Sequence, residues 1–291
     1  DVYDPELGKR SVFDALGASV DAGVNFLDTA EIYGDGESER LIGEWMASRP
    51  RGRESLVLAS KFMPFPQRLD VKKELMTALD ASLKRLGTDS LDLYQIHGPI
   101  SLRSNADLGD ALAEAVLSGK AKAVGVSNYD LREMTQVVEA MDKRGVKLAT
   151  NQVEYSLLRQ LPEETGLLHA AKDMGVRLLA YSPLAMGRLT GKYSAGSEPD
   201  GKRFFSALPM EKVDPLVAEM RKVGERNGGK TPAQVALNWL LCKGTIPIPG
   251  AKNAKQATQN AGALGWRMSD DDVERLGRLG FRGETSIWQH A

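Results

Sequence analysis

What most constrains this chain is the alternation of helix-like and strand-like runs, in which the strands are too apolar to leave one face wet. The strand-like runs lie at 25–30, 55–62, 90–97, 121–128, 148–155, 177–183 and 245–250. Helical spacing of apolar residues predicts helices at 6–23, 37–48, 71–87, 107–119, 131–144 and 163–174, then near 211–227, from Pro232 to about Lys243, and from about 254 to 264. Thr231-Pro232-Ala233-Gln234 has the form of a capping box with proline at the first helical position. Strands buried on both faces and separated by helices form a parallel sheet covered by helices, the α/β class. A (β/α)8 TIM barrel needs eight strands. Only seven are readable and the first element is a helix, so the first strand is expected to be missing from the N-terminus, just upstream of Asp1. The rival architecture, a doubly wound open sheet, places a phosphate loop after its first strand, and no G-x-G-x-x-G follows any strand here. Gly34-Asp35-Gly36 reads as a turn.

No linker-like composition shift interrupts the rhythm, so residues 1–291 are read as one domain. The 38 basic and 39 acidic residues nearly cancel, which removes the electrostatic footprint expected of a nucleic-acid binder or a protein of anionic membranes. Cys242 is the sole cysteine, which excludes an internal disulfide and agrees with a reducing compartment. His97, His169 and His290 are the only histidines and none forms a His-x-x-x-His pair, so metal catalysis is not expected. Neither a membrane span nor a signal peptide is readable, so a soluble protein is expected.

Three successive strands end on polar side chains that packing does not explain: Asp28 with Tyr33 just beyond it, then Lys61, then His97. A phenol titrates near 10 in water and is an inert proton donor at neutral pH. An ammonium beside it stabilises the phenolate, and a carboxylate holds that ammonium charged and oriented. Such a set makes Tyr33 a general acid toward a carbonyl oxygen that becomes an alkoxide, with His97 as second donor or proton relay. The chemistry that fits is carbonyl reduction.

DTAEIYG, SKF, QIHGP, GVSNY, NQVEYS, YSPLAMGRLTGKY and IPIPGAKNAKQATQN occur in this order over nearly the whole chain. The series resembles the aldo-keto reductases, specifically a plant, algal and cyanobacterial branch with chloroplast-type members. The resemblance implies a (β/α)8 barrel that uses a nicotinamide cofactor without a Rossmann domain. It implies that Ser127, Asn128 and Gln152 hold the nicotinamide carboxamide and that Tyr181 stacks on the ring. Ser182, Pro183, Leu184, Gly187, Leu189 and Lys192 match the family's diphosphate cover. Gly250, Lys252, Gln256, Gln259 and Asn260 match its adenosine end, where Lys252 beside a helix start favours the extra phosphate of NADP (NADPH) over NAD. Three departures stand out. The family's N-terminal hairpin and first strand are expected to be absent from this chain. FRGETSIWQHA is short, with Trp288 as its only large aromatic side chain, which implies an open pocket. Gln259 replaces a more usual acidic adenine contact.

The activity expected is hydride transfer from NADPH to a small-molecule carbonyl substrate: an aromatic, sugar-derived or lipid-derived aldehyde, or a pyridoxal-like compound. The resemblance places such a protein in the cytoplasm, or in the chloroplast stroma of a plant or alga. A cofactor-sensing regulatory subunit resembling potassium-channel β subunits is the first alternative. A Schiff-base aldolase with Lys61 as nucleophile is the second. Oligomeric state and physiological substrate are not written in the sequence.

Overall fold

The structure, a computed structural model, describes residues 8–50, 52–199, 208–286 and 288–291. Seven parallel strands pair in chain order: β1 (Phe26–Asp28), β2 (Val57–Phe62), β3 (Leu91–Ile96), β4 (Ala121–Ser127), β5 (Leu148–Glu154), β6 (Arg177–Tyr181) and β7 (Ile246–Pro247). Helices α1 (Gly8–Asp21), α2 (Glu37–Ala47), α3 (Val71–Leu86), α4 (Asn105–Leu117), α5 (Leu131–Asp142), α6 (Leu161–Glu164), α7 (Leu167–Asp173), α8 (Met210–Arg226), α9 (Pro232–Cys242), α10 (Ala254–Ala261) and α11 (Asp270–Leu279) complete the βα rhythm. None of the described helices is long and apolar enough to cross a membrane.

The sheet is curled. β1 and β5 are four strands apart, which in a flat sheet is roughly 19 Å at about 4.8 Å per strand. Yet Gln152 on β5 donates to Asp28 on β1 across 2.9 Å. Their side chains meet inside a half-barrel. Among the described residues β1 pairs only with β2 and β7 only with β6, and no eighth strand closes the sheet.

Alternation along each strand sorts the side chains between shell and interior. Leu58 and Phe62, Tyr94 and Ile96, Val124 and Val126, and Leu178 and Ala180 join the large cluster between sheet and helices. Phe26, Ala59, Leu93, Ala123, Ala149 and Leu179 form a separate inner cluster. Two residues on, each interior row turns polar or small at Asp28, Lys61, Gln95, Gly125 and Tyr181. The interior is thus an apolar floor beneath a polar layer at the carboxyl ends of the strands.

One irregularity places that layer. Val124 pairs with Leu148 but Gly125 pairs with Thr150, so Ala149 is an extra residue in β5. This bulge lets Ala149 stay in the inner cluster while Thr150 and Gln152 also face inward. It demands glycine opposite, because a Cβ at Gly125 would fall 2.0 Å from Thr150 Oγ1.

Several expected boundaries shift. The first helix begins at Gly8; its expected start at residue 6 lies outside the described residues. α4 starts two residues early because Ser104 and Asp107 form a capping box. The single helix expected at 163–174 is two, broken at Gly166, whose φ is 77°. The last strand is only two residues long, since Pro247 and Pro249 have no N–H to donate. The capping box at Thr231–Gln234 forms as expected. α11, capped by Ser269, is an element the sequence reading missed.

Candidate active site

Tyr33 reaches the mouth of the half-barrel on a loop built by left-handed backbone: Gly34, Asp35 and Gly36 have φ of 59°, 53° and 81°. That segment is the expected turn. The loop is stitched to the lysine strand, with the Glu31 N–H donating to Lys61 O at 3.3 Å. The Glu31 carboxylate accepts from the Met63 N–H and from Arg68, each at 2.8 Å. Arg68 in turn lies over the Phe62 ring.

Lys61 is completely buried, and its ammonium donates to the Asp28 carboxylate, to Thr29 O at 2.9 Å and to the Tyr33 hydroxyl at 3.3 Å. Burial by itself would pull the ammonium's pKa down. Asp28, with Tyr33, outweighs burial and leaves it above the usual lysine value. A Schiff-base lysine needs a free amine, so this environment argues against Lys61 as a nucleophile.

His97 follows β3 and brings Nε2 to 3.4 Å from the Tyr33 hydroxyl, with the two rings edge to face at 5.4 Å. Its Nδ1 is buried and without a partner among the described residues. Burial, then the Lys61 charge, push the imidazole well below its usual pKa. It is therefore neutral at physiological pH. Asp28, Tyr33, Lys61 and His97 thus meet, as the sequence reading expected.

The reading missed Gln95, which donates to Asp28 Oδ1 at 3.2 Å and accepts from Thr150 at 3.2 Å. Its signal was parity: Gln95 pairs with Lys61 in register and lies two residues beyond inward-facing Leu93. Glu31 was missed as well, because the only clue was a carboxylate between Asp28 and Tyr33.

Ser127, Asn128 and Gln152 cluster where β4 and β5 end. The Ser127 hydroxyl is already committed to Gln152 O at 2.8 Å. Gln152 gives its amide nitrogen to Asp28, so Oε1 remains as an acceptor. Asn128 sits in left-handed backbone (φ 62°), and its side-chain oxygen accepts from the Tyr181 hydroxyl at 3.0 Å. That leaves Nδ2 as a donor with no partner among the described residues. One open donor beside one open acceptor matches a carboxamide, the polar group of a nicotinamide.

Beyond Tyr181 the chain is contorted. Ser182, Ala185 and Met186 have φ between 46° and 55°, Gly187 reaches 94°, and a 3-10 helix runs Ala185–Thr190. Pro183, Ala185 and Leu189 are buried under this coil, and Leu184 O accepts from the Gly187 N–H at 2.9 Å. Lys192 is exposed, its ammonium over the Tyr193 ring. After β7, Asn253 caps α10 through the Gln256 N–H at 3.0 Å, and Gln256 Oε1 accepts from the Lys252 N–H at 2.8 Å. Asn260 ties back to Gly250 O at 3.3 Å, and Gln259 O accepts from the Gln234 amide at 3.0 Å. Lys252 is exposed at this helix start, where dipole and open N–H groups favour an anion.

The family model for the aldo/keto reductase family matches residues 4–280. The chain is 36% identical to a chloroplastic pyridoxal reductase of Arabidopsis thaliana over 275 residues, covering 90% of this chain and 74% of that one. Among solved structures, a thermostable aldo-keto reductase, Tm1743, in complex with the inhibitor epalrestat superposes with a TM-score of 0.77 at 31% identity, covering 94% of this chain and 88% of that one. An aldo-keto reductase from Klebsiella pneumoniae in complex with NADPH superposes with a TM-score of 0.75 at 28% identity, covering 97% and 88%. With this match along nearly its whole length and with Asp28, Tyr33, Lys61 and His97 assembled at one mouth, the chain belongs to the aldo/keto reductase family, whose members are NADP(H)-using oxidoreductases.

Proposed function

We propose that the chain reduces the carbonyl group of a small aldehyde or ketone with NADPH, using Tyr33 as the proton donor. The observation that carries this reading is the buried Lys61 ammonium, shared between Asp28 and the Tyr33 hydroxyl, beside a neutral His97. NADPH supplies hydride. Every other task falls to side chains already in place.

A carbonyl oxygen at the Tyr33 hydroxyl accepts its proton as negative charge builds. The phenolate left behind is stabilised by Lys61, which Asp28 keeps charged. In its Nε2–H form, His97 donates to the same oxygen. Asn128 Nδ2 and Gln152 Oε1 hold the carboxamide, Ser127 fixes the end of β4 on β5, and the Tyr181 ring provides a stacking surface. Ser182, Pro183, Leu184, Gly187, Leu189 and Lys192 cover the diphosphate. Gly250, Lys252, Gln256, Gln259 and Asn260 receive the adenosine and its 2′-phosphate. The seven-stranded half-barrel is read as part of a (β/α)8 barrel, with the edges of β1 and β7, unpaired among the described residues, as the place where an eighth strand would pair. Residues 1–291 act as a single domain, and a pyridoxal-like compound stays among the substrates because of the plant relative.

The test is NADPH consumption with a panel of aldehydes that includes pyridoxal, comparing wild type with Tyr33→Phe. Loss of turnover by at least a hundredfold with NADPH binding retained is expected. Equal rates in both proteins would remove Tyr33 from the chemistry.

A further inference from the structure

Near the end of the chain, a segment straps itself across the carboxamide cluster. It first runs along the β5–α6 connection, where the Phe281 N–H donates to Leu157 O at 2.8 Å and Phe281 O accepts from the Gln160 N–H at 3.0 Å. It then passes over Arg159 at Gly283, whose φ is 80° and where a Cβ would lie 2.4 Å from Arg159 Cγ. Arg159, itself buried, donates to Glu284 O and to Glu154 O, each at 3.1 Å. The strap ends on Gln289 and His290.

Gln289 is buried and every polar atom of its amide is used. Its nitrogen donates to the Glu154 carboxylate and to the Tyr181 hydroxyl at 2.8 Å, and its oxygen accepts from Ser286 at 3.3 Å. Glu154 and Tyr181 are register partners at the ends of β5 and β6. Glu154 is buried too, and as a carboxylate it can only accept, so it fixes which way round the Gln289 amide lies. Because Gln289 donates to the phenol oxygen, the phenol proton goes onward to Asn128 Oδ1 at 3.0 Å. Asn128 is then turned with Nδ2 outward. The strap also holds the Asn128 backbone in its left-handed conformation: the His290 N–H donates to Asn128 O at 3.3 Å, while the His290 ring meets Glu133 at 2.9 Å.

We propose that Gln289 is a positioning residue for the nicotinamide half of the cofactor, acting through the directed chain Glu154–Gln289–Tyr181–Asn128. The inference rests on the nucleotide-binding reading above. Its chemistry is polarity: a carboxylate at one end of the chain of hydrogen bonds sets a donor at the other, and the same contacts hold the plane of the Tyr181 ring. Gln289 acts through Tyr181 and Asn128, the groups its hydrogen bonds lead to.

The experiment compares binding of NADPH with binding of 2′-phospho-ADP-ribose, which has every part of the cofactor except the nicotinamide. It is run on wild type, Gln289→Ala, Gln289→Met, Tyr181→Phe and the Tyr181→Phe/Gln289→Met double variant. Methionine fills the same space without a donor, so it reports on the amide even where alanine loosens the fold. Gln289→Met is expected to weaken NADPH about tenfold and 2′-phospho-ADP-ribose less than twofold. In the Tyr181→Phe background, which keeps the ring but removes the relay, it should have little further effect. Equal weakening of both ligands, or of neither, overturns the proposal, as does an unchanged Gln289→Met effect in the Tyr181→Phe background. Wild-type protein that binds neither ligand overturns the nucleotide reading itself and the role of the strap with it.

Discussion

Removing either partner of the Asp28–Lys61 pair abolishes the same salt bridge, but the two losses should differ in stability. Lys61 is fully buried while Asp28 keeps a tenth of its side chain exposed. In Asp28→Ala the ammonium retains only Thr29 O at 2.9 Å and the Tyr33 hydroxyl at 3.3 Å, both neutral. A charge buried without its counterion costs about 3–5 kcal/mol, or roughly 2 °C of melting temperature per kcal/mol in a chain of this size. In Lys61→Met the stranded carboxylate still accepts from Gln95 at 3.2 Å and Gln152 at 2.9 Å. That loss should be about 1–2 kcal/mol. The pH dependence separates them further. In wild type the pKa of Lys61 is raised in the fold, so its contribution is complete below the unfolded value, about 10.4, and is lost only as pH rises through the higher folded value. Without Asp28 only burial acts strongly, the folded pKa falls, and the unfolded chain binds the extra proton. Stability of Asp28→Ala should then rise with pH from 7 toward about 10, by up to about 1.4 kcal/mol per unit. Urea unfolding of both variants at two pH values reads this directly. Equal losses with no pH dependence in Asp28→Ala would refute the assignment of Lys61 as a buried cation held by one carboxylate.

Three further outcomes follow from the same geometry. Because His97 is neutral in the fold and an unfolded imidazole takes a proton near pH 6.5, wild type should lose up to about 1.4 kcal/mol per pH unit below about 6.5. His97→Gln should flatten that slope, measured by denaturant unfolding across the acid range. Gly125→Ala drives a methyl into Thr150 and should cost about 2–3 kcal/mol; adding Thr150→Ala should recover only part of it, since Thr150 O at 2.9 Å and Gln95 Cγ at 3.2 Å then remain in the way. Lys252→Ala should weaken NADPH about tenfold while leaving NADH nearly unchanged, as read by nucleotide fluorescence.

The strand-end residues were legible because a β-strand has a fixed two-residue period. Once Ala59 and Leu93 are assigned to the interior, Lys61 and Gln95 must join them. Lys61 stands out by its charge, whereas Gln95 is a neutral amide inside an apolar run and gives no such signal. The bulge at Ala149 was invisible for a different reason. It changes which residues face inward without changing any residue type, and only the glycine opposite hinted at a close approach. The contacts of Gln289 with Tyr181 and Glu154 span 108 and 135 residues. No local pattern encodes such pairings, because they arise only after curling brings the ends of β5 and β6 beneath the strap.

Asp28 joins the two halves of the site. One carboxylate oxygen takes the Lys61 ammonium, which in the mechanism proposed above serves proton transfer at Tyr33; the other accepts from the Gln152 amide and so decides that Gln152 shows an acceptor to its surroundings. The Asn128 amide is oriented independently, from the far side, through Tyr181. A carboxamide placed between them meets a donor on one side and an acceptor on the other, and each polarity traces back to a carboxylate, Asp28 for Gln152 and Glu154 for Asn128. Asparagine at position 28 would break this scheme although its shape is nearly the same. Its amide nitrogen would face either Lys61 or the two glutamine nitrogens, donor against donor, and turning Gln152 over to relieve the clash would present nitrogen where the carboxamide needs oxygen. On the proposed mechanism the charge of Asp28 is therefore required twice, once to hold the Lys61 ammonium beside the proton donor and once to keep a neighbouring amide the right way round.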